Sequence, residues 1–314
     1  MNEGIRNVQD LMERQHYVTD RAIATTVFLA MELRKPVLIE GQAGVGKTEV
    51  AKVLSAALDT ELIRLQCYEG LDANSALYEW NYPKQMLRIR MEESGDRTAD
   101  QQEALIFSKP FLLERPLLKA ISAETQAPVL LIDEVDRADE EFEAFLLEVL
   151  SDFQVTIPEL GTIKASHRPY VVLTSNRTRE LSDALKRRCL YLWIDYPTFD
   201  KEYQIILAKV PGANERLAAQ VAAFMQVVRK AKWAKMPGVA ETLDWTMGLL
   251  ALHADHLDPE TVRQTLGALF KDREDLARLA RADMEGMLRE LDGKQPQQWA
   301  NEAGAKFQKE LAPR

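Results

Sequence analysis

The chain has 314 residues, 46% of them hydrophobic and 28% charged: a globular composition, with length for one large domain and a small one. Its net charge of −9 opposes the basic excess that a dedicated nucleic-acid binder uses for counterion release, so nucleic acid is disfavoured as the main partner. No apolar run approaches the roughly 18 to 20 residues a membrane helix needs, and the polar, acidic opening MNEGIRNVQDLMERQ lacks the basic-then-apolar order of a signal peptide; a cytoplasmic location is expected.

In chain order, apolar runs bounded by turn residues alternate with helical patterns. Strands are predicted at 37–40, 62–67, 128–133, 170–175 and 190–195. Their continuous apolar character (PVLLI, YVVLT, LYLWI) suits a parallel sheet covered on both faces. Between the first two, residues 48–58 carry Val50, Val53, Leu54 and Ala57 at helical spacing. Strand, helix, strand in this order predicts an α/β doubly wound domain over residues 1–200. Residues 201–287 read as a separate all-helical domain, and the polar stretch 288–314 as a loosely attached tail. Cys67 and Cys189 make no disulfide framework, and each reads as a small apolar residue of a buried strand.

The segment GQAGVGKTEV, directly after the first strand, satisfies G-x-x-x-x-G-K-[ST] with Gly41, Gly46, Lys47 and Thr48. Glycines, Gly44 included, let backbone N–H groups turn inward as an anion nest, and the helix opening near Lys47 points its positive end at the phosphates. Lys47 is expected to reach the β- and γ-phosphates of ATP and the Thr48 hydroxyl to ligand Mg²⁺. Gln42, Ala43, Val45 and Glu49 complete the expected nucleotide-binding segment.

VLLIDE supplies the acidic half. Asp133 ends a strand where it can hold Mg²⁺ through water, and Glu134 can polarise a water for attack on the γ-phosphate, which a small-molecule kinase has to exclude. A solvated turn after the strand is the bland alternative. Asn176, ending VVLTSN, could orient the attacking water. Arg187 and Arg188, before LYLWI, are either solvated charges or arginine fingers acting on a neighbouring subunit's phosphate.

GQAGVGKT, VLLIDE, LTSN and ALKRRC, in that order, resemble the AAA+ ATPases, and wider stretches such as LQCYEGLD and LIDEVDRADEEFEAFLLEVLSDFQVTIP look like the MoxR branch. Within it the chain resembles the CoxD-like subgroup, ATPases associated with maturation of carbon monoxide dehydrogenase; the likeness covers roughly residues 5–285. The resemblance implies a parallel-sheet αβα core followed by a small helical lid. Gly41 to Thr48 would be Walker A, Asp133 and Glu134 Walker B, and Asn176 sensor 1. Arg188 would be the better finger and Arg187 the second. It also implies a homo-oligomeric ring, usually hexameric, a partner carrying a von Willebrand factor A domain, and a metalloenzyme client. One departure stands out: Glu241 occupies the place where such lids often carry a sensor 2 arginine, so no residue is assigned that role.

Two insertions are candidate client contacts in related ATPases. Residues 154–165 read as a short hairpin, and residues 77–93 are rich in aromatic and basic side chains, with ordinary packing the alternative for Trp80 and Tyr82. HADH, with His253 and His256, reads as exposed helix polar residues rather than metal ligands. The acids of DEVDRADEEFEAFLLEVL, Asp133 and Glu134 apart, read mostly as a solvated face opposite Phe142, Phe145, Leu146 and Val149. A nucleotide-gated assembly module with slow hydrolysis is the second functional expectation.

Overall fold

The computed structural model describes residues 3–91 and 98–310. Among the described residues nine strands occur in chain order: β1 (Val37–Gly41), β2 (Leu62–Gln66), β3 (Tyr78–Trp80), β4 (Leu112–Glu114), β5 (Val129–Asp133), β6 (Gln154–Ile157), β7 (Gly161–Lys164), β8 (Tyr170–Ser175) and β9 (Leu190–Ile194). Five of them form the main sheet in the order β2-β5-β8-β1-β9. The pairings β1·β8, β5·β8 and β2·β5 are parallel, with Val37 opposite Val172, Leu131 opposite Val172, and Gln66 opposite Asp133.

Position in the sheet explains each strand's sequence. β1 and β5 are buried along their whole length and β8 from its second residue, which is why they read as unbroken apolar runs. β2 and β9 lie at the edges and alternate. LIRLQ buries Ile63 and Leu65 and turns Arg64 and Gln66 outward. LYLWI is apolar throughout, yet on this edge strand Tyr191 and Trp193, which share one face, are 53% and 39% exposed. Continuous apolar character therefore misreads this edge strand as covered on both faces.

Two compact units share the chain: residues 1–11, 20–41 and 47–193, and residues 12–19, 42–46 and 194–314. In the first, Leu38, Leu130, Ile132 and Leu173 of the sheet pack with Leu117, Leu118, Phe142 and Leu146 of the flanking helices. Helix Glu140–Asp152 starts at an Asp139 cap whose carboxylate accepts from Phe142 N, and its acids are not all solvated. Glu143 is buried and pairs with Arg179, and Asp136 is buried too. Both depart from the expected solvated face. β6 and β7 form the expected hairpin. Trp80 is packing, buried edge-on to Phe107, whereas Tyr82 is exposed; Glu92 and Glu93 of that stretch lie outside the described residues.

The second unit is helical after Ile194: Phe199–Lys209, Glu215–Val228, Val239–Ala251, Pro259–Leu269, Arg273–Leu279, Met284–Asp292 and Pro296–Glu310. Phe224, Trp245, Phe270 and Trp299 fill its core. Polar composition in 288–314 suggested a loose tail, but Trp299, Ala300 and Ala303 are buried in that core, so this segment through Ala303 packs as part of the unit. Residues 311–314 lie outside the described residues. A buried ion pair, Arg229 to Glu202 at 2.7 Å through both terminal guanidinium nitrogens, also receives the Thr242 hydroxyl. His253 and His256 stand in the turn after Val239–Ala251, not on a helix face, and His256 Nδ1 meets Asp255 at 2.6 Å. No helix among the described residues is long and apolar enough to cross a membrane.

Candidate nucleotide-hydrolysis site

In a parallel sheet the strand C-terminal ends are where ligands meet backbone and side-chain donors. β8 lies between β1 and β5, so the residue ending β8 falls between the phosphate loop that follows β1 and the carboxylates that end β5. The chain after β1 turns at Gly44 (φ 74°) and Gly46 (φ 94°), left-handed conformations that cost other residues energy. It then enters helix Lys47–Ala57.

Lys47 is buried. Its Nζ donates to the Gly41 carbonyl (2.9 Å) and to Asn176 Oδ1 (2.7 Å). Burial pulls its ammonium below the ordinary 10.5, opposed by the carboxylates of Asp136, Asp133 and Glu134. The Thr48 hydroxyl donates to Asp133 Oδ1 at 3.0 Å. A hydroxyl and a carboxylate held together are hard oxygen donors, the kind Mg²⁺ accepts while keeping several waters. Among the described residues no group of three or more His, Cys, Asp or Glu could hold a metal alone, so phosphate and water oxygens would have to complete the coordination. The residues present therefore fit Mg²⁺ carried with a nucleotide.

Glu134 adopts a left-handed backbone (φ 55°, ψ 49°), and its N–H donates to Thr174 Oγ1 (2.9 Å). Its carboxylate receives Asn176 Nδ2 (3.2 Å) and Gln66 Nε2 (3.2 Å) and lies 3.3 Å from Arg137 Nε. One amide, Asn176, thus touches both the phosphate-loop lysine and the candidate base.

Three positioning residues escaped sequence reasoning. Asp136 accepts from the N–H groups of Asn176 (3.2 Å) and Thr178 (2.8 Å) and from the Thr178 hydroxyl (2.7 Å), fixing the turn that carries Asn176. Arg64 and Gln66 project from the outward side of β2: Arg64 Nη2 meets Asp133 Oδ2 at 2.5 Å, and Gln66 meets Glu134. The signal was present as the RxQ alternation, but only the strand order puts it beside β5.

Other expected site residues stand apart. Arg187 and Arg188 are exposed on helix Asp183–Arg188 and share no hydrogen bond with the cluster among the described residues. Arg188 Nε donates to Ser151 Oγ (2.9 Å). Gln42 and Ala43 are exposed at the loop tip, Val45 is buried, and Glu49 pairs with Lys52 (3.5 Å). Within the second unit, the Gly44 carbonyl accepts from Val239 N (2.8 Å) and Ala240 N (3.3 Å). Glu241 caps its own helix by accepting from Gly238 N (2.8 Å). Both cysteines have thiols pushed up to about 12, by burial; Cys67 is buried just after β2, whereas Cys189 is half-buried at a helix end rather than in a strand.

Residues 36–189 match the family model described as AAA domain (dynein-related subfamily). With the strand order above, this identifies the core as an AAA+ P-loop NTPase fold. The chain is similar to the uncharacterized protein SH1500 of Staphylococcus haemolyticus, 27% identical over 226 residues, covering 70% of this chain and 78% of that protein. The uncharacterized protein SAB1265c of Staphylococcus aureus is also 27% identical, over 69% and 78% of the two chains. Among solved structures, it is similar to RuvB of Thermotoga maritima, the Holliday junction branch migration motor, at 18% identity, 90% and 75% coverage and a TM-score of 0.46.

Proposed function

We propose that the chain is a cytoplasmic MoxR-type AAA+ ATPase, closest to the CoxD-like subgroup, that hydrolyses Mg·ATP with Glu134 as general base. The observation that carries the reading is the Asn176 amide, which receives Lys47 Nζ at 2.7 Å and donates to Glu134 at 3.2 Å. A structural role for a strand-end carboxylate and a buried lysine would not need the two joined through one neutral amide.

In this reading Lys47 and the loop N–H groups bind the β- and γ-phosphates, and Asn176 fixes the water that attacks the γ-phosphorus. Glu134 takes the proton of that water as the bond to the β-phosphate oxygen breaks, and ADP leaves with the electron pair. Mg²⁺, when held near Thr48 and Asp133, would neutralise charge developing on the β- and γ-oxygens. Arg188 and Arg187 would complete a neighbouring subunit's site in a homo-oligomeric, hexameric ring. The resemblance to the MoxR branch implies a von Willebrand factor A domain partner and a metalloenzyme client that turnover would remodel during maturation.

Replacement Glu134→Gln tests the base. Expected are an unchanged ATP dissociation constant by calorimetry and a kcat lower by about 10²–10⁴; turnover near the wild-type rate would remove Glu134 from this role. A second reading, a nucleotide-gated module with slow hydrolysis, is favoured by Glu241, a carboxylate turned to its own helix cap at a sequence position where the resemblance leads one to expect an arginine. ATPase rates that stay below one turnover per hour with a saturating partner would select it.

A further inference from the structure

Asp133 ends β5 with its side chain 4% exposed, and both of its oxygens are engaged. Oδ1 accepts from the hydroxyls of Thr48 (3.0 Å) and Thr174 (2.5 Å). Oδ2 is met by Arg64 Nη2 at 2.5 Å. Hydroxyls satisfy a carboxylate's lone pairs but not its charge, and a buried carboxylate without a counter-cation is costly. Among the described residues Arg64 is the sole ion-pair partner of Asp133.

Arg64 is unlike an ordinary core partner. Its own side chain is 51% exposed, so the guanidinium reaches in from solvent and can leave again at little cost. It stands on the outward side of an edge strand, two residues before Gln66, whose Oε1 it also touches at 2.5 Å. Parallel register sets Gln66 beside Asp133 and Arg64 two residues back, a distance that the arginine side chain spans.

We infer that Arg64 is an exchangeable counter-cation of Asp133: it pairs with the carboxylate and keeps it aimed while no metal is bound, and yields that place to Mg²⁺ arriving with the nucleotide. The inference rests on the reading of Thr48 and Asp133 as the Mg²⁺ side of an ATP site. Its consequence is thermodynamic. A resident cation lowers the advantage that Mg²⁺ confers on nucleotide binding, because the metal must displace a charge already there, and it spares the metal-free pocket a naked anion that would repel ATP.

The measurement is ATP affinity by calorimetry in Mg²⁺ and in EDTA, for wild type, Arg64→Gln and Arg64→Lys, with melting curves of each protein without nucleotide in EDTA. The ratio of the two dissociation constants gives the coupling between metal and ATP. Arg64→Gln should raise that ratio up to about fivefold, the upper end for one exposed ion pair, mainly by weakening binding in EDTA. It should also melt earlier in EDTA and recover when Mg·ATP is added. Arg64→Lys, which keeps a charge on a flexible stem, should fall between the two. An Arg64→Gln ratio equal to that of wild type, or a melting loss that Mg·ATP leaves untouched, overturns the exchange and leaves Arg64 a structural contact. Wild-type protein whose ATP binding ignores Mg²⁺ would instead sink the reading of the site itself, so the two failures are distinguishable.

Discussion

Lys47 is held where its charge costs the fold something, since burial lowers its pKa more than the three neighbouring carboxylates raise it. A lysine bound this way binds its proton less tightly folded than unfolded. The cost is therefore fully present below the folded pKa and is relieved as pH rises from there toward 10.5. Lys47→Met should abolish detectable ATP binding yet raise the melting temperature at neutral pH, and the stability gap between variant and wild type should narrow as pH approaches 10.5. A variant less stable than wild type at pH 7 would mean that the bonds to Gly41 and Asn176 outweigh the buried charge. Asp136 is the opposite kind of residue, touching no nucleotide but setting Asn176 through its backbone N–H. Asp136→Asn keeps the shape but removes the charge and turns one of the two accepting oxygens into a donor, so a loss of about 1–3 kcal/mol in urea unfolding is expected. Because Asn176 would shift while the phosphate loop would not, kcat should fall more than ATP affinity; an equal fall in both would indicate general loosening.

At the scale of elements, the start of helix Val239–Ala251 is fixed by a close approach of two glycines. A Cβ added at Gly238 would stand 2.8 Å from the Gly44 backbone, where no side-chain movement can relieve it. Gly238→Ala should therefore cost about 1–3 kcal/mol of stability, the range for overpacking, and should weaken ATP binding because Gly44 belongs to the phosphate loop. Measured affinity unchanged beside a lowered melting temperature would separate the helix from the loop's function. This contact shows what sequence can and cannot carry. The loop, β5, β8 and Asn176 were legible because each is a local pattern: glycines at fixed offsets, an apolar run, a polar residue ending it. Arg64, Gln66 and Asp136 were not, because their roles depend on which strand lies beside which. The acids of 133–143 misled for the same reason. Helical spacing placed Glu143 on a polar face, and only Arg179 and the Ser182 N–H, 36 and 39 positions later, make its burial tolerable. Trp299 misled through its neighbours, since one large apolar side chain, with only the small Ala300 and Ala303 beside it, anchors a helix whose flanking residues are mostly polar.

For the whole molecule, the unanswered chemistry is the positive charge a phosphoryl transfer needs opposite Lys47. Arg187 and Arg188 share no hydrogen bond or ion pair with their own chain's Lys47, Asp133, Glu134 or Asn176 among the described residues, and both are exposed, as a group serving another copy would be. Arg188 is tied to Ser151 and would have to exchange that bond, whereas Arg187 has no hydrogen bond or ion pair among the described residues. Head-to-tail contact in a closed ring lets each subunit lend an arginine to the next. Arg188→Ala should leave ATP affinity unchanged and lower turnover by about 10³ or more, with Arg187→Ala beside it to show which arginine serves. Mixing decides between lending and local use. In rings assembled from equal amounts of Arg188→Ala and Glu134→Gln, about a quarter of interfaces join an intact base to an intact arginine, if the contact is head-to-tail. Turnover reappearing toward that fraction, from two inactive proteins, requires an arginine supplied by the neighbour. If the mixture stays silent while light scattering shows mixed rings, Arg188 acts within its own subunit or the sites fire only together. A covalently linked dimer carrying both changes on one subunit separates those two cases, since it retains one fully intact subunit.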